Sequence, residues 1–168
     1  KEQTYQAWSG VDAETLRTNR RYNPEGEIKD DDGNVIGFYK NHTDNYQQNH
    51  YFLSWLQDYG NNWKSNLTVH YTKGKGYYEN YRQDNRLSRY NLPNIQQGAT
   101  LIQRSDFIRK KWLDNDFYGI VSTLYGKFEN LDINFGAVAN QYKGDHFGNV
   151  TGVFLPQIQE LEYYRNRS

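Results

Sequence analysis

The chain has 168 residues, a formal net charge of +0 from 20 basic and 20 acidic side chains, and a mean hydropathy of -1.07. That balance excludes the basic field that draws a protein to nucleic acid, so no nucleic-acid partner is expected. No cysteine is present, which removes disulfides, thiolate metal sites and thiol nucleophiles.

Such polarity suggests disorder, yet disordered chains are poor in aromatics. Here aromatics reach 17%, with 16 Tyr and 4 Trp, and Tyr, Asn and Gln abound. That composition fits strands with one apolar and one wet face. No apolar run approaches the roughly 20 residues of a spanning helix. The chain starts at Lys1, contains no Met and has no charged-then-apolar leader, so a fragment or a processed start is expected.

In chain order, a first strand is expected over 1–10. A long polar stretch follows over 11–45. Within it, 11–17 suits a turn of helix, and DDDGN at 30–34 reads as a turn. The next strand, 46–57, places Tyr51, Leu53 and Trp55 on one side. His50 and Ser54 lie on the other, with Phe52 and Leu56 as apolar exceptions. The short QDYGNN segment, 57–62, should close a hairpin.

In the strand expected over 63–80, residues 63–73 alternate most clearly. Trp63, Ser65, Leu67, Val69 and Tyr71 share one parity, and Lys64, Asn66, Thr68, His70 and Thr72 the other. A polar stretch covers 81–111 before a strand at 112–126, where Tyr118, Ile120 and Leu124 are assigned outward, opposite Phe117, Val121 and Tyr125. GKFEN, 126–130, is a second short turn. The strand 130–144 sets Leu131, Ile133, Phe135, Ala137 and Ala139 on one face. After another polar stretch, 145–158, a last strand occupies 159–168. The prolines at 24, 93 and 156 all fall in connections, where a missing donor harms no ladder.

The expected fold is therefore all-β: an antiparallel up-and-down meander of about six strands, with short and long connections alternating. That is the layout of part of a transmembrane β-barrel with short periplasmic turns and long extracellular loops. Aromatics at both turns (Trp55, Tyr59 and Trp63; Tyr125 and Phe128) fit an interfacial girdle. The expected lipid-facing set is Leu53, Trp55, Leu67, Val69, Tyr71, Leu131, Ile133 and Phe135.

TYQAWSGVDAETLRTNRRYNP, TDNYQQNHYFLSW, HYTKGKGYYENY, RKKWLDNDFYG and NQYKGDHFG, in this order and over most of the chain, resemble TonB-dependent outer-membrane receptors. The resemblance implies a Gram-negative outer-membrane location and import of a scarce ligand: an iron chelate such as a siderophore, haem, cobalamin or a glycan. It implies that 1–168 is a partial barrel segment lacking the plug domain and the TonB box. Its partners are then the remainder of its own barrel and plug, TonB through the missing N-terminal part, the lipid bilayer and the small-molecule ligand. An alternative is a soluble β-sandwich binding glycans through Tyr-rich loops.

Local motifs add little chemistry. Gly74 and Gly76 in TKGKGYY lack the strand-to-helix context of a phosphate loop. Asp30, Asp31 and Asp32 lack calcium-loop spacing, and His42, His50, His70 and His146 lack helical metal spacing. His50 and His70 share the polar parity of neighbouring strands. Asp114 with Asp116, or Glu129 with Asp132, carries no sign of an acid–base pair, so no enzyme, cofactor or metal is expected. Tyr77, Tyr78, Tyr81, Tyr90 and Tyr142, with Tyr163 and Tyr164, suit either ligand stacking or an outer girdle.

Overall fold

The computed structural model describes residues 2–168. In chain order the elements are β1 (Glu2–Tyr5), α1 (Ala13–Thr18), β2 (Glu27–Lys29), β3 (Val35–Phe38), β4 (Thr43–Gly60), β5 (Trp63–Arg86), β6 (Ile95–Gln97), β7 (Thr100–Ile102), β8 (Arg104–Phe128), β9 (Leu131–Gly152) and β10 (Leu161–Arg167). A 3-10 turn occupies Leu87–Tyr90. The protein is all-β and antiparallel. One six-stranded sheet has the order β1-β4-β5-β8-β9-β10, a meander once the two small hairpins β2-β3 and β6-β7 are set aside. Within the described residues the sheet stays open, with β1 and β10 as its edges. A sandwich needs two sheets face to face; here β1, β4, β5, β8, β9 and β10 all belong to one.

The strands outrun their expected bounds. β5 continues to Arg86, β8 begins at Arg104 and β9 continues to Gly152. The expected polar stretches 81–111 and 145–158 therefore shrink to the connections 87–103 and 153–160. The cause is physical. Polar and aromatic side chains occupy both faces of these extensions, so two-residue alternation fades while backbone pairing continues. Conversely, β1 is shorter than 1–10. In the stretch 11–45 the expected turn of helix is α1, capped by Asp12, whose carboxylate accepts from the Thr15 amide at 2.8 Å. DDDGN closes the β2-β3 hairpin, with Asp30 accepting from the amides of Asp32 and Asn34.

The chain divides into two compact units, each described by itself. The hairpin unit comprises 47–75, 113–145 and 167–168. Its tight turns follow from residue chemistry: Asn61 and Asn62 hold positive φ of 48° and 72° between β4 and β5. Asn tolerates that region better than other residues with a Cβ, and the twist suits a hairpin.

The core unit comprises the chain up to Tyr46, 76–112 and 146–166. There Leu87, Tyr90, Phe107, Val150, Leu155 and Ile158 are fully or nearly buried, flanked by Leu92, Ile95, Ile102 and Tyr163. The connections 87–103 and 153–160 thus fold down onto β8 and β9 and supply four of these six residues. Gly76 lies where β4 and β5 approach closely: a Cβ there would meet the Asn45 carbonyl oxygen and stand 2.7 Å from Tyr46 Cα. Backbone atoms cannot move aside, so Gly76→Ala is expected to destabilise by about 1–3 kcal/mol. Gly136→Ala, whose nearest atom is Ser122 O at 3.9 Å, should change the denaturation midpoint little.

Candidate functional site

The hairpin unit sorts its side chains by face. Tyr51 and Tyr71 stack with ring centroids 5.9 Å apart. On the opposite face His50 Nδ1 lies 2.9 Å from Thr72 Oγ1, and Ser54 bonds Thr68 at 2.8 Å. Leu53, Trp55, Leu67, Val69 and Tyr71 therefore share one face. The Tyr118 hydroxyl donates to Gln141 at 2.7 Å, and the Tyr71 hydroxyl to Asp116 at 2.5 Å. That bond chain places Tyr118, Ile120 and Leu124 of β8, and Leu131, Ile133 and Phe135 of β9, on the same face as Tyr71. The face is bare: Leu53 is 72%, Trp55 67% and Phe135 65% exposed.

Polar and aromatic groups bound this apolar band. Toward the turns, Trp63 meets Phe128 edge-on at 5.7 Å, and Gly126 leaves room for its ring. At the other end Lys73 spans Asp114 at 2.8 Å and Asp116 at 3.1 Å, and Lys75 binds Asp114 at 2.9 Å. Asp114 and Asp116 thus belong to the face of Tyr71, not to the face of His70. On the second face His50, Phe52, His70 and Phe117 form a ring ladder, and His70 Nε2 lies 2.9 Å from Asn140 Oδ1. Phe52 separates the two histidines, so they do not meet.

The core unit holds a different site, a cleft of about 450 Å³. Its cations are Arg82 on β5, Arg89 on the 3-10 turn, and Arg109 and Lys111 on β8. Tyr90, Tyr163 and Tyr164 supply its rings. Tyr163 lies edge-on to Tyr90 at 5.1 Å and to Tyr164 at 4.9 Å. Asn91, in the left-handed region with φ 59°, anchors this corner by donating to the Tyr163 carbonyl at 2.8 Å. Burial pushes the Tyr163 hydroxyl up to about 12, against the pull of Arg109, so it stays protonated and able to donate.

Among the described residues none of these four cations has a carboxylate at ion-pair distance, and the buried Nε atoms of Arg82 and Arg109 have no hydrogen-bond partner. Burial, then the neighbouring Arg109 charge, holds Arg82 below the usual guanidinium range. Carboxylates of the same unit are engaged elsewhere: Glu25 with His42 at 2.8 Å, Asp84 with Arg104 at 2.8 Å, Glu162 with Arg165 at 2.6 Å.

A buried polar chain supports the cleft from behind. Arg109 donates to Asn80 Oδ1 at 2.9 Å, and Asn80 donates to Gln6 Oε1 at 2.6 Å. Gln6 in turn donates to the carbonyls of Thr43 and Glu79 at 3.2 and 3.1 Å. His42 Nδ1 lies 3.4 Å from the Tyr81 amide, and its Nε2 lies 2.8 Å from the Glu25 carboxylate and 3.0 Å from the Asn80 side-chain nitrogen. Burial holds His42 below its ordinary value of 6.5, outweighing Glu25, while Arg82 and Arg109 reinforce the depression. The unfolded chain therefore binds a proton that the folded one refuses as pH falls through 6.5. Stability is full above that value and drops below it. A lower melting temperature at pH 5.5 than at pH 7.5 is expected, with the difference reduced in His42→Gln.

Of the tyrosines singled out in the sequence, Tyr90 lines the cleft together with Tyr163 and Tyr164. Tyr77 packs tilted against Trp112 at 4.4 Å, and Tyr81 stacks on Tyr39 at 5.5 Å. Tyr78 meets Trp8 edge-on and carries Lys111 over its ring. Tyr142 lies on β9 in the hairpin unit, 45% exposed. Four of these five are strand residues, not loop residues. The cleft's cations had one faint signal in the sequence: Arg109 and Lys111, two apart in RKK, share a face of β8. A larger hollow of about 580 Å³ beside Tyr5, Arg21, Tyr22 and Lys40 brings no buried cation together and is the weaker candidate.

Among the described residues no group of three or more His, Asp or Glu side chains is placed to hold a metal ion. No helix is long and apolar enough to cross a membrane, which says nothing of strands. Comparison with known protein families, with curated proteins and with solved structures finds no match.

Proposed function

We propose that this chain is a section of an outer-membrane β-barrel wall of the TonB-dependent receptor class, a transporter that captures a scarce ligand and passes it inward. The observation that carries the reading is the bare apolar band of the hairpin unit. Among the described residues, Leu53, Trp55, Leu67, Val69, Tyr71, Ile120, Leu124, Leu131 and Phe135 of four adjacent strand segments face one way and stay exposed. A water-soluble sheet covers such a face, whereas a barrel wall leaves it to lipid.

Dimensions support the same reading. From Trp63 to Tyr71 the strand rises about 27 Å at ~3.4 Å per residue, or about 21 Å in height at a ~40° tilt, near the ~25 Å band of such barrels. Aromatic rings stand at both limits of the band, and charge begins at Lys73 and Asp116. Open edges at β1 and β10 call for further strands of the same barrel. The bilayer, the plug and TonB complete the list of partners, and the core unit then carries the ligand-contacting surface.

Fractionation of source cells, probed with antibody against 81–111, tests the proposal. A detergent-requiring outer-membrane band is expected. Recovery in the soluble fraction without detergent would overturn it.

A further inference from the structure

We propose that the cleft formed by Arg82, Arg89, Arg109 and Lys111 binds a small polyanion, a molecule presenting at least two carboxylate or phosphate groups. The inference rests on the receptor reading for its biological setting, but its chemistry stands on the core unit alone. Four cations line one cleft, and no carboxylate of the described residues neutralises any of them at ion-pair distance. Collecting like charges in a partly buried corner is unfavourable unless an anion joins them.

The ordinary alternative is a solvated basic surface, and two features set the cleft apart from it. Arg109 is held by Asn80, itself tied to Gln6, so the guanidinium is fixed before any ligand arrives. The Nε atoms of Arg82 and Arg109 are buried and make no hydrogen bond in the chain. A guanidinium fork matches carboxylate or phosphate oxygens in pairs. Tyr163 and Tyr164 flank the cations and suit the flat or carbon-rich part of the same molecule. A volume of about 450 Å³ belongs to a small molecule, not to a nucleic-acid strand.

The test is calorimetric titration of the receptor, purified in detergent from source-cell membranes, with citrate, pyrophosphate and the neutral sugar maltose. Citrate or pyrophosphate should bind, which of the two binds more tightly distinguishing a carboxylate from a phosphate ligand, and maltose should not. Arg89→Gln and Lys111→Gln, which leave the core intact, should each weaken the anion about tenfold, equivalent to one charge-assisted hydrogen bond. Raising NaCl from about 0.05 M to about 0.5 M should weaken it further, and Arg21→Gln, outside the cleft, should change nothing. Binding of neither anion, or equal affinity in Arg89→Gln, Lys111→Gln and the parent, would overturn the inference. Outer-membrane fractionation is read separately, so loss of the cleft and loss of the receptor reading are distinguishable.

Discussion

Val69→Lys is expected to destabilise the protein by about 2–4 kcal/mol in a bilayer, because under the proposed barrel reading it sets an ammonium group at mid-depth on the lipid side. Thr68→Lys, one residue away, should cost well under half as much. Thr68 lies on the face where Ser54 bonds its hydroxyl and His70 bonds Asn140, a surface already polar and, in a barrel, wet. Val69 lies between Leu67 and Tyr71 on the bare face, itself 43% exposed. Refolding into lipid vesicles with urea titration measures both variants. Equal penalties would show that both faces meet the same solvent, and the assignment of the band to lipid would fail.

Phe107→Ala should have the largest effect in the core unit, about 3–5 kcal/mol, from lost burial plus the cavity left behind. Phe107 is fully buried and packs against Tyr90 with ring centroids 4.7 Å apart, in a core that also holds Leu87 and Val150. Because Leu87 and Tyr90 belong to the connection 87–103 and Leu155 and Ile158 to 153–160, losing the ring should free both connections from the sheet. Limited proteolysis within 87–103 should accelerate sharply. Phe154→Ala removes an equally large ring that is 72% exposed and should leave cleavage within about twofold of the parent. The pair separates burial from mere aromatic content.

The two units were unequally legible in the sequence. In the hairpin unit, alternation from Trp63 to Tyr71 and from Leu131 to Ala139 set register and facing, because one face is apolar and the other polar. Asn61 and Asn62 marked the turn, and the six main strands and their meander order followed. In the core unit the same logic had no purchase. Beyond Tyr71 on β5, Lys73, Lys75, Tyr77 and Glu79 occupy one parity and Thr72, Tyr78, Asn80 and Arg82 the other, so neither reads as inside. The core there comes from Leu87, Tyr90, Leu155 and Ile158 folding back from connections, a long-range event with no local period. The cleft was hidden for the same reason. Arg82 and Arg109 meet through strand pairing across 27 residues of chain, and their lack of carboxylate partners is visible only once Glu25, Asp84 and Glu162 are seen committed elsewhere.

The facing of β5 also decides what Asp114 and Asp116 do. Spaced two apart, they read as a carboxylate pair open to several roles. Bound by Lys73, Lys75 and the Tyr71 hydroxyl on the apolar face, they form a charged row at one limit of the band. In a barrel that row marks the level at which lipid tails give way to headgroups.

Cysteine scanning of β5 from position 64 to 73 tests the central claim most directly, since the chain has no cysteine of its own. Each variant, in membranes and carrying a nitroxide label, is exposed to oxygen, which concentrates in lipid, and to a water-soluble nickel chelate. Labels at 67, 69 and 71 should respond to oxygen and labels at 66, 68 and 70 should not, with the chelate taking over at 73. Chelate access at 67, 69 and 71, or a response without two-residue period, would contradict the lipid-facing wall.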